Sequence, residues 1–356
     1  MKFADVLEIK NGRNQRQVEN PDGRYPIYGS GGVMGRADDY ICEAETVVIG
    51  RKGSINNPIF VNEPFWNVDT AFGLIAKRDV LLPKYLYYFC VNFDFEKLNT
   101  TVTIPSLTKA NLLQIEIALP TLEEQKKAVN VLDKVTNLVE MRQQQLAKLD
   151  ELVKARFVEM FGDPVSNSLQ LPEKKLAELG EFGRGVSKHR PRNDPALLGG
   201  KYPLIQTGEV ASADVYITSY QNSYSELGFQ QSKLWKKGTL CITIAANIAK
   251  TAILGFDACF PDSVVGFNAN EKTNEIFIHY WFSFFQAILE AQAPESAQKN
   301  INLKILGDLK VIVPDISAQT EFVSFVIQIE KTKLSIQKSL EQMKTLKKAL
   351  MQQYFG

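Results

Sequence analysis

The chain is short of histidine, of paired cysteines and of long apolar runs, and each shortage removes a class of function. Its two histidines, His189 and His279, have no Cys, Asp or Glu neighbours at ligand spacing, so neither builds a metal centre. The four cysteines, Cys42, Cys90, Cys241 and Cys259, show no CxxC spacing and sit in apolar runs. They read as small buried residues of a reducing compartment, not disulfides or metal ligands. No apolar run approaches the length of a membrane span and the N-terminus has no signal-peptide pattern, so the expectation is a cytoplasmic protein without a membrane partner. Formal net charge is only +1; any nucleic-acid contact must come from local basic patches. With 45% apolar and 23% charged residues over 356 positions, two or three soluble domains are expected.

What the chain does have is one long helical pattern, Leu119 to Gly162, opened by Pro120 and free of Pro and Gly from there to Gly162. Leu132, Val139, Leu146, Val153 and Met160 recur every seven residues among Lys, Arg, Glu and Gln. Such a heptad argues for a long helix packed on another long helix, roughly 60 Å long at about 1.5 Å per residue. The partner lies in the same chain. An offset of 194 residues carries Pro120 onto Pro314, Gln125 onto Gln319, Phe161 onto Phe355 and Gly162 onto Gly356. The second ladder is Ile329, Ile336, Met343 and Leu350.

The repeat extends, more faintly, into the flanking regions. Tyr25-Pro26-Ile27 matches Tyr202-Pro203-Leu204, and Thr46-Val47-Val48-Ile49 matches Thr239-Leu240-Cys241-Ile242. Asp69 and Gly73 match Asp262 and Gly266, and Lys2 to Val6 echoes Lys175 to Leu179. The fold class is therefore α+β: two globular domains joined by two long helices; if these pair as an antiparallel coiled coil, the two halves are related by a pseudo-two-fold. The boundaries fall at 1–119, 120–162, 163–313 and 314–356. Strands are expected at 40–42, 46–49, 59–61, 71–75 and 115–119, and a helix opens at Pro83. The aromatic stretch from Ile276 to Ala291 reads as a core helix and not a base-stacking surface.

The distinctive chemistry is in loops. Gly29-Ser30-Gly31-Gly32 allows close backbone approach, and Gly50-Arg51-Lys52-Gly53-Ser54 sets two cations on a glycine-flanked turn. Arg13, Arg16, Arg24 and Arg36 add to them. Such groups suit phosphate and base-edge contacts. The second domain offers Arg184, Lys188, Arg190 and Arg192, then Lys236 and Lys237 beside Trp235. At the place matching Arg51-Lys52 it has Ala245-Ala246-Asn247.

Three catalytic patterns fail. Asn57-Pro58-Ile59-Phe60 resembles an adenine methyltransferase motif but has no cofactor loop beside it. Pro261-Asp262 with Glu271-Lys272 lacks nuclease spacing, and Gly183 to Lys188 lacks the Gly-Lys-Ser/Thr of a phosphate loop. Nothing reads as an enzyme.

The order of domain, Leu119-Pro120-Thr121-Leu122-Glu123-Glu124-Gln125 helix, Phe161-Gly162-Asp163, second domain and Pro314-to-Gln319 helix resembles the DNA-specificity subunit of type I restriction–modification systems. Tyr25-Pro26, Gly29 to Gly32 and Arg51 to Ser54 support the resemblance, which covers the whole chain. The second copy departs from it at Asp315-Ile316-Ser317-Ala318 and has no second Gly-Ser-Gly-Gly. The resemblance implies two target-recognition domains reading a bipartite, asymmetric site on double-stranded DNA. It also implies two methyltransferase subunits as partners, with endonuclease subunits able to join. Adenine N6 is then methylated with S-adenosylmethionine held by the partner, and no cofactor is held by this chain. The candidate DNA contacts are Arg13, Arg16, Arg24, Gly29, Ser30, Gly31, Arg36, Arg51, Lys52 and Ser54, then Arg184, Lys188, Arg190, Arg192, Lys236, Lys237 and Asn247. The rival from another class is a coiled-coil assembly module that binds protein partners; it explains the heptads but not the glycine-basic loops.

Overall fold

The structure is a computed structural model and describes residues 1–99, 105–189, 191, 194–245, 248–292 and 301–356. The chain divides into two compact units, Met1–Gln145 with Ile336–Gly356, and Leu146–Ser335. Each unit takes part of both long helices.

In the first unit the elements run α1 (Phe3–Val6), β1 (Leu7–Asn11), β2 (Tyr25–Gly29), β3 (Gly32–Ala37), β4 (Thr46–Gly50), β5 (Ile59–Val61), β6 (Trp66–Asn67), β7 (Ala71–Ala76), α2 (Pro83–Asn92) and α3 (Lys109–Leu113), leading into α4 (Leu122–Phe161). An antiparallel sheet has the order β1-β7-β4-β5, and a smaller one β3-β2-β6, with β2 and β6 parallel. Pro83 opens α2 where its missing N–H costs nothing.

The second unit contains β8 (Glu173–Lys175), β9 (Gly180–Arg184), β10 (Leu198–Leu204), α5 (Thr207–Ser212), β11 (Tyr216–Ile217), β12 (Asn222–Tyr224), α6 (Glu226–Gln230), β13 (Leu234–Trp235), β14 (Leu240–Thr243), β15 (Thr251–Leu254), β16 (Ala258–Cys259), β17 (Val264–Ala269), α7 (Glu275–Gln292), α8 (Leu303–Gly307), β18 (Lys310–Ile312) and α9 (Ile316–Phe355). Its sheets run β11-β15-β14-β17-β9 and β12-β10-β16-β13, with a β18-β8 pair. Without β11 and β13, both sheets repeat the order of the first unit, including a parallel pair, β10 with β16.

The repeat extends to single hydrogen bonds. Phe3 N–H donates to Ile115 O as Leu176 N–H donates to Leu309 O, each at 2.9 Å. Thr108 caps α3 through the Asn111 N–H, and Asn302 caps α8 through the Ile305 N–H. Gly73 on β7 and Gly266 on β17 are glycine for the same reason. A Cβ at Gly73 would meet Cys42 Sγ at 2.6 Å, and one at Gly266 would meet Trp235 at 2.5 Å.

Two expected strands do not form. Around 40–42 there is only a bridge from Cys42 to Phe65, and around 115–119 only one from Glu116 to Lys2; neither stretch has a neighbour long enough for a ladder. The helix expected over the aromatic stretch is present, and Phe277, Ile278, Trp281 and Phe282 lie in the core. All four cysteines are free and buried, and burial pushes the Cys42 thiol up to about 12. Among the described residues, no helix is long and apolar enough to cross a membrane.

Each long helix has 40 residues. Of the heptad residues, Leu132, Val153 and Ile329 are buried, and Val139, Leu146, Met160, Ile336, Met343 and Leu350 are half-buried. Within the second unit, Asp150 pairs with Lys333 at 2.6 Å and Arg156 with Glu321 at 2.7 Å, so α4 and α9 run in opposite directions. Phe157 and Phe161 of α4 meet Phe322 of α9 and Phe277 of α7. In the first unit the end of α9 closes the core instead: Phe355 packs on Tyr85 and Phe89 of α2, and Met351 joins the cluster holding Leu132.

The start of each helix is fixed by its glutamine. Gln125 is fully buried; its side-chain oxygen accepts from Leu82 N–H at 2.9 Å, and its amide donates to Val80 O and Pro120 O. Gln319, also fully buried, accepts from the Thr273 hydroxyl at 3.0 Å and donates to Lys272 O and Pro314 O. A charge cluster centred on a buried lysine stands in the second unit. Lys333, only 3% exposed, is bonded to Asp150, Asp214 and Glu330. Burial alone would lower its pKa, but the hydrogen bonds it donates to Asp150 and Asp214 outweigh it and the net shift is upward.

Gln125→Ala would leave the Leu82 N–H and two carbonyls without their partner, at a cost of about 2–4 kcal/mol. A thermal melt of the variant should show a clearly lower Tm; an unchanged Tm would mean that the glutamine is dispensable. His279, bonded to Thr251, is held by burial at about 4 against an ordinary 6.5. Because the folded value is the lower one, the unfolded chain takes up its proton first on acidification. This contribution to stability is whole above about pH 6.5 and falls as the pH drops toward 4. Denaturant titrations at pH 7.5 and 5 should differ by about 2 kcal/mol from this group, a difference that His279→Gln should remove; an equal acid loss in the variant would assign it elsewhere.

Candidate nucleic-acid interface

In the first unit the two glycine loops come together. Gly29 pairs with Gly32 across a two-residue turn, Ser30-Gly31, and Gly32 takes a φ of +119°, which a side chain would resist. Ser30 lies against the turn that follows β4: a Cβ at Gly50 would stand 3.1 Å from Ser30 Cβ, and one at Gly53 4.0 Å from Ser30 Oγ. Three backbone hydrogen bonds hold that turn. Arg51 N–H donates to Thr70 O at 2.8 Å, Gly53 N–H to Pro105 O at 3.1 Å, and Leu107 N–H to Arg51 O at 2.9 Å. The side chains of Arg51, Lys52 and Ser54 are left exposed. The Arg51 guanidinium reaches Asp69 O at 3.5 Å and lies 5.8 Å from the Phe72 ring centre. A cationic, glycine-walled turn beside a glycine hairpin is what close phosphate approach requires.

The other arginines divide. Arg36 is committed internally: its Nε donates to Gly23 O at 2.6 Å and its Nη2 to Arg24 O at 2.8 Å, which braces the hairpin base. Arg24 lies over the Tyr25 ring. Arg13 and Arg16 are exposed, and Arg13 lines a cleft of about 550 Å³ with Lys10, Asn11, Tyr40 and Trp66. The Trp66 indole N–H donates to Arg13 O at 3.0 Å. Neither Tyr40 nor Trp66 was marked by the loop composition, because each is far in sequence from the arginine it joins.

In the second unit Arg184 is exposed at the end of β9, paired in register with Val265. Gln231 Oε1 accepts from Lys188 N–H at 2.5 Å and His189 N–H at 3.0 Å, which shapes the basic loop. Lys236 sits on a separate turn, paired with Asp257 at 2.8 Å, and that hydrogen bond holds the carboxylate below its ordinary range. The Lys237 N–H donates to the same carboxylate at 2.9 Å, while its side chain is exposed. Arg190, Arg192 and Asn247 lie outside the described residues.

Comparison with known proteins gives this arrangement a family. Residues 1–151 and 172–345 match the model of the type I restriction modification DNA specificity domain, which occurs once in each half of the chain. The Haemophilus influenzae protein S.HindORF215P, which carries the name of a type I restriction enzyme specificity subunit, is 25% identical over 89% of this chain and 83% of its own length. The EcoBI specificity subunit of Escherichia coli is 22% identical over 89% of this chain and 73% of its own. Among solved structures, the S subunit of a type I system from M. genitalium shares the fold, with a TM-score of 0.70 at 16% identity over 100% of this chain and 95% of that one. The chain belongs to the family of type I restriction–modification DNA specificity subunits, which supply recognition and not catalysis.

Proposed function

We propose that this chain reads a bipartite, asymmetric DNA sequence, one half with each globular domain, and positions two methyltransferase subunits for adenine N6 methylation. Endonuclease subunits join where unmodified DNA is to be cut. S-adenosylmethionine belongs to the methyltransferase partner. The observation that carries this reading is a repeated architecture with unlike loops at matched places. Both units keep the same sheet order apart from β11 and β13, yet the turn after β4 carries Arg51 and Lys52 where the matching sequence of the second half is Ala245-Ala246-Asn247. Shared frames with different tips suit two different half-sites.

The outer faces of the long helices support partner binding. Val131, Leu138 and Leu152 on α4 stand at heptad spacing and remain exposed, as do Ile327 and Leu334 on α9. Exposed apolar side chains at that period are the pattern of a helix that receives further helices.

Co-expression with the methyltransferase of the same system, followed by single-molecule mapping of N6-methyladenine, should reveal a split motif of two unlike halves around a fixed gap. A stable complex with no new methylation would transfer the function to the assembly-module class. In the same complex, replacing Arg51 and Lys52 by Ala should flatten the dependence of log affinity on log salt by about 0.9 for each phosphate no longer neutralised. An unchanged salt slope, measured by titration of a labelled duplex, would remove these two residues from the DNA interface.

A further inference from the structure

The β2–β3 hairpin carries a bulge. Tyr28 pairs with Val33 and Ile27 with Gly35, so Met34 is the additional residue. A bulge of this type bends the strand and redirects the side chains beside it. Here Val33 and Met34 are each 62% exposed, whereas Ile27, Ala37 and Trp66 of the same small sheet are buried. Met34 folds back so that its Sδ would stand 2.5 Å from a Cβ at Gly29, which sets it beside the glycine turn. Beyond it the hairpin tip is open: a Cβ at Gly31 or Gly32 would meet nothing within 4 Å. Ser30, in that tip, touches the turn bearing Arg51 and Lys52. The result is a hairpin at the edge of the small sheet, β2 backed by β6 at Ile27 and Tyr28 and the tip standing beyond that pairing, with an apolar pair near its end and cations at its side.

The major groove admits two strands, so the tip of this hairpin can enter it edge-on; cations beside the tip meet the phosphates, and an apolar side chain there has one complementary group, the thymine 5-methyl. The internal repeat argues against a protein partner at this place. The matching strand in the second unit, β12, presents Asn222 exposed, Ser223 half-buried and Tyr224 buried, and no Gly-Ser-Gly-Gly precedes it. A surface for subunits bound alike to both halves would be repeated in both; a reader of one half-site would not.

We infer that Val33 and Met34, at the hairpin bulge, are specificity-determining residues of the first domain and read a thymine methyl in the major groove of the first half-site. This rests on the DNA-specificity function proposed above. The whole complex with its methyltransferase is used, on duplexes of the motif found by methylation mapping. Deoxyuridine, which lacks only the 5-methyl, replaces each thymine of the first half-site in turn. One replacement should weaken binding about fourfold, the worth of one buried methyl (~0.8 kcal/mol). In the complex of Val33→Ser/Met34→Ser, both changes lying on the surface, the same replacement should have no effect. Methylation by that variant should lose discrimination at this base pair and keep the second half-site. A first half-site with no fixed A·T pair, or equal deoxyuridine losses in variant and wild type, would overturn the assignment. Failure of the variant to assemble with the methyltransferase would overturn it too, and give the bulge to a protein contact. If instead the wild-type complex bound no specific sequence, the underlying function would fall, and that outcome is distinct.

Discussion

Two buried glutamine side chains set the frame of this molecule. Gln125 and Gln319 each stand five residues past the proline that opens a long helix and tie it to the segment preceding the core helix of its own unit. A glutamine suits the place because one amide can accept from one group and donate to two others, which three backbone or hydroxyl groups there require. Leu or Met would fill the volume and leave those groups unpaired in a dry site. Because the direction of a 40-residue helix is decided at its first turns, these bonds determine how each rod leaves its domain. Pro120 and Pro314 contribute the other half of the anchor, offering a carbonyl and no competing N–H.

This explains what was legible. The helices were readable because heptads and terminal anchors recur without a gap, and the sheets because Gly73 and Gly266 occupy equivalent crowded positions where only hydrogen fits. The bridges at Cys42 and Glu116 were not readable as such: apolar alternation marks a strand but says nothing about whether a partner of adequate length exists. The site was legible in its loops and less so in the use of each cation. Composition cannot distinguish Arg36, which braces the hairpin through two carbonyls, from Lys52, which is exposed on the neighbouring turn. Lys333 was invisible too, since a lysine in a charged helix reads as solvated until three carboxylates are seen around it.

Near-neutral net charge is compatible with binding DNA when cations are placed and not merely numerous. Lys236 is paired with Asp257 and Arg156 with Glu159 and Glu321, so part of the chain's positive charge is cancelled locally. Cations held by backbone geometry, such as Arg51 and Lys52, require no carboxylate to orient them and keep their charge for a polyanion. The two domains share the same frame, and the second adds β11 and β13 to the edges of its sheets.

The first unit's core is finished by the last residues of the chain: Met351, Tyr354 and Phe355 pack with Phe3, Tyr85, Phe89 and Leu132. During synthesis the N-terminal unit therefore emerges with an apolar face that only the final helical turns can close. At about 5–20 residues per second, the ribosome leaves that face open for roughly ten to forty-five seconds after α4 begins to appear. A truncation that removes Met351 to Phe355 would therefore be felt farthest in sequence from where it falls, in the part of the protein made first.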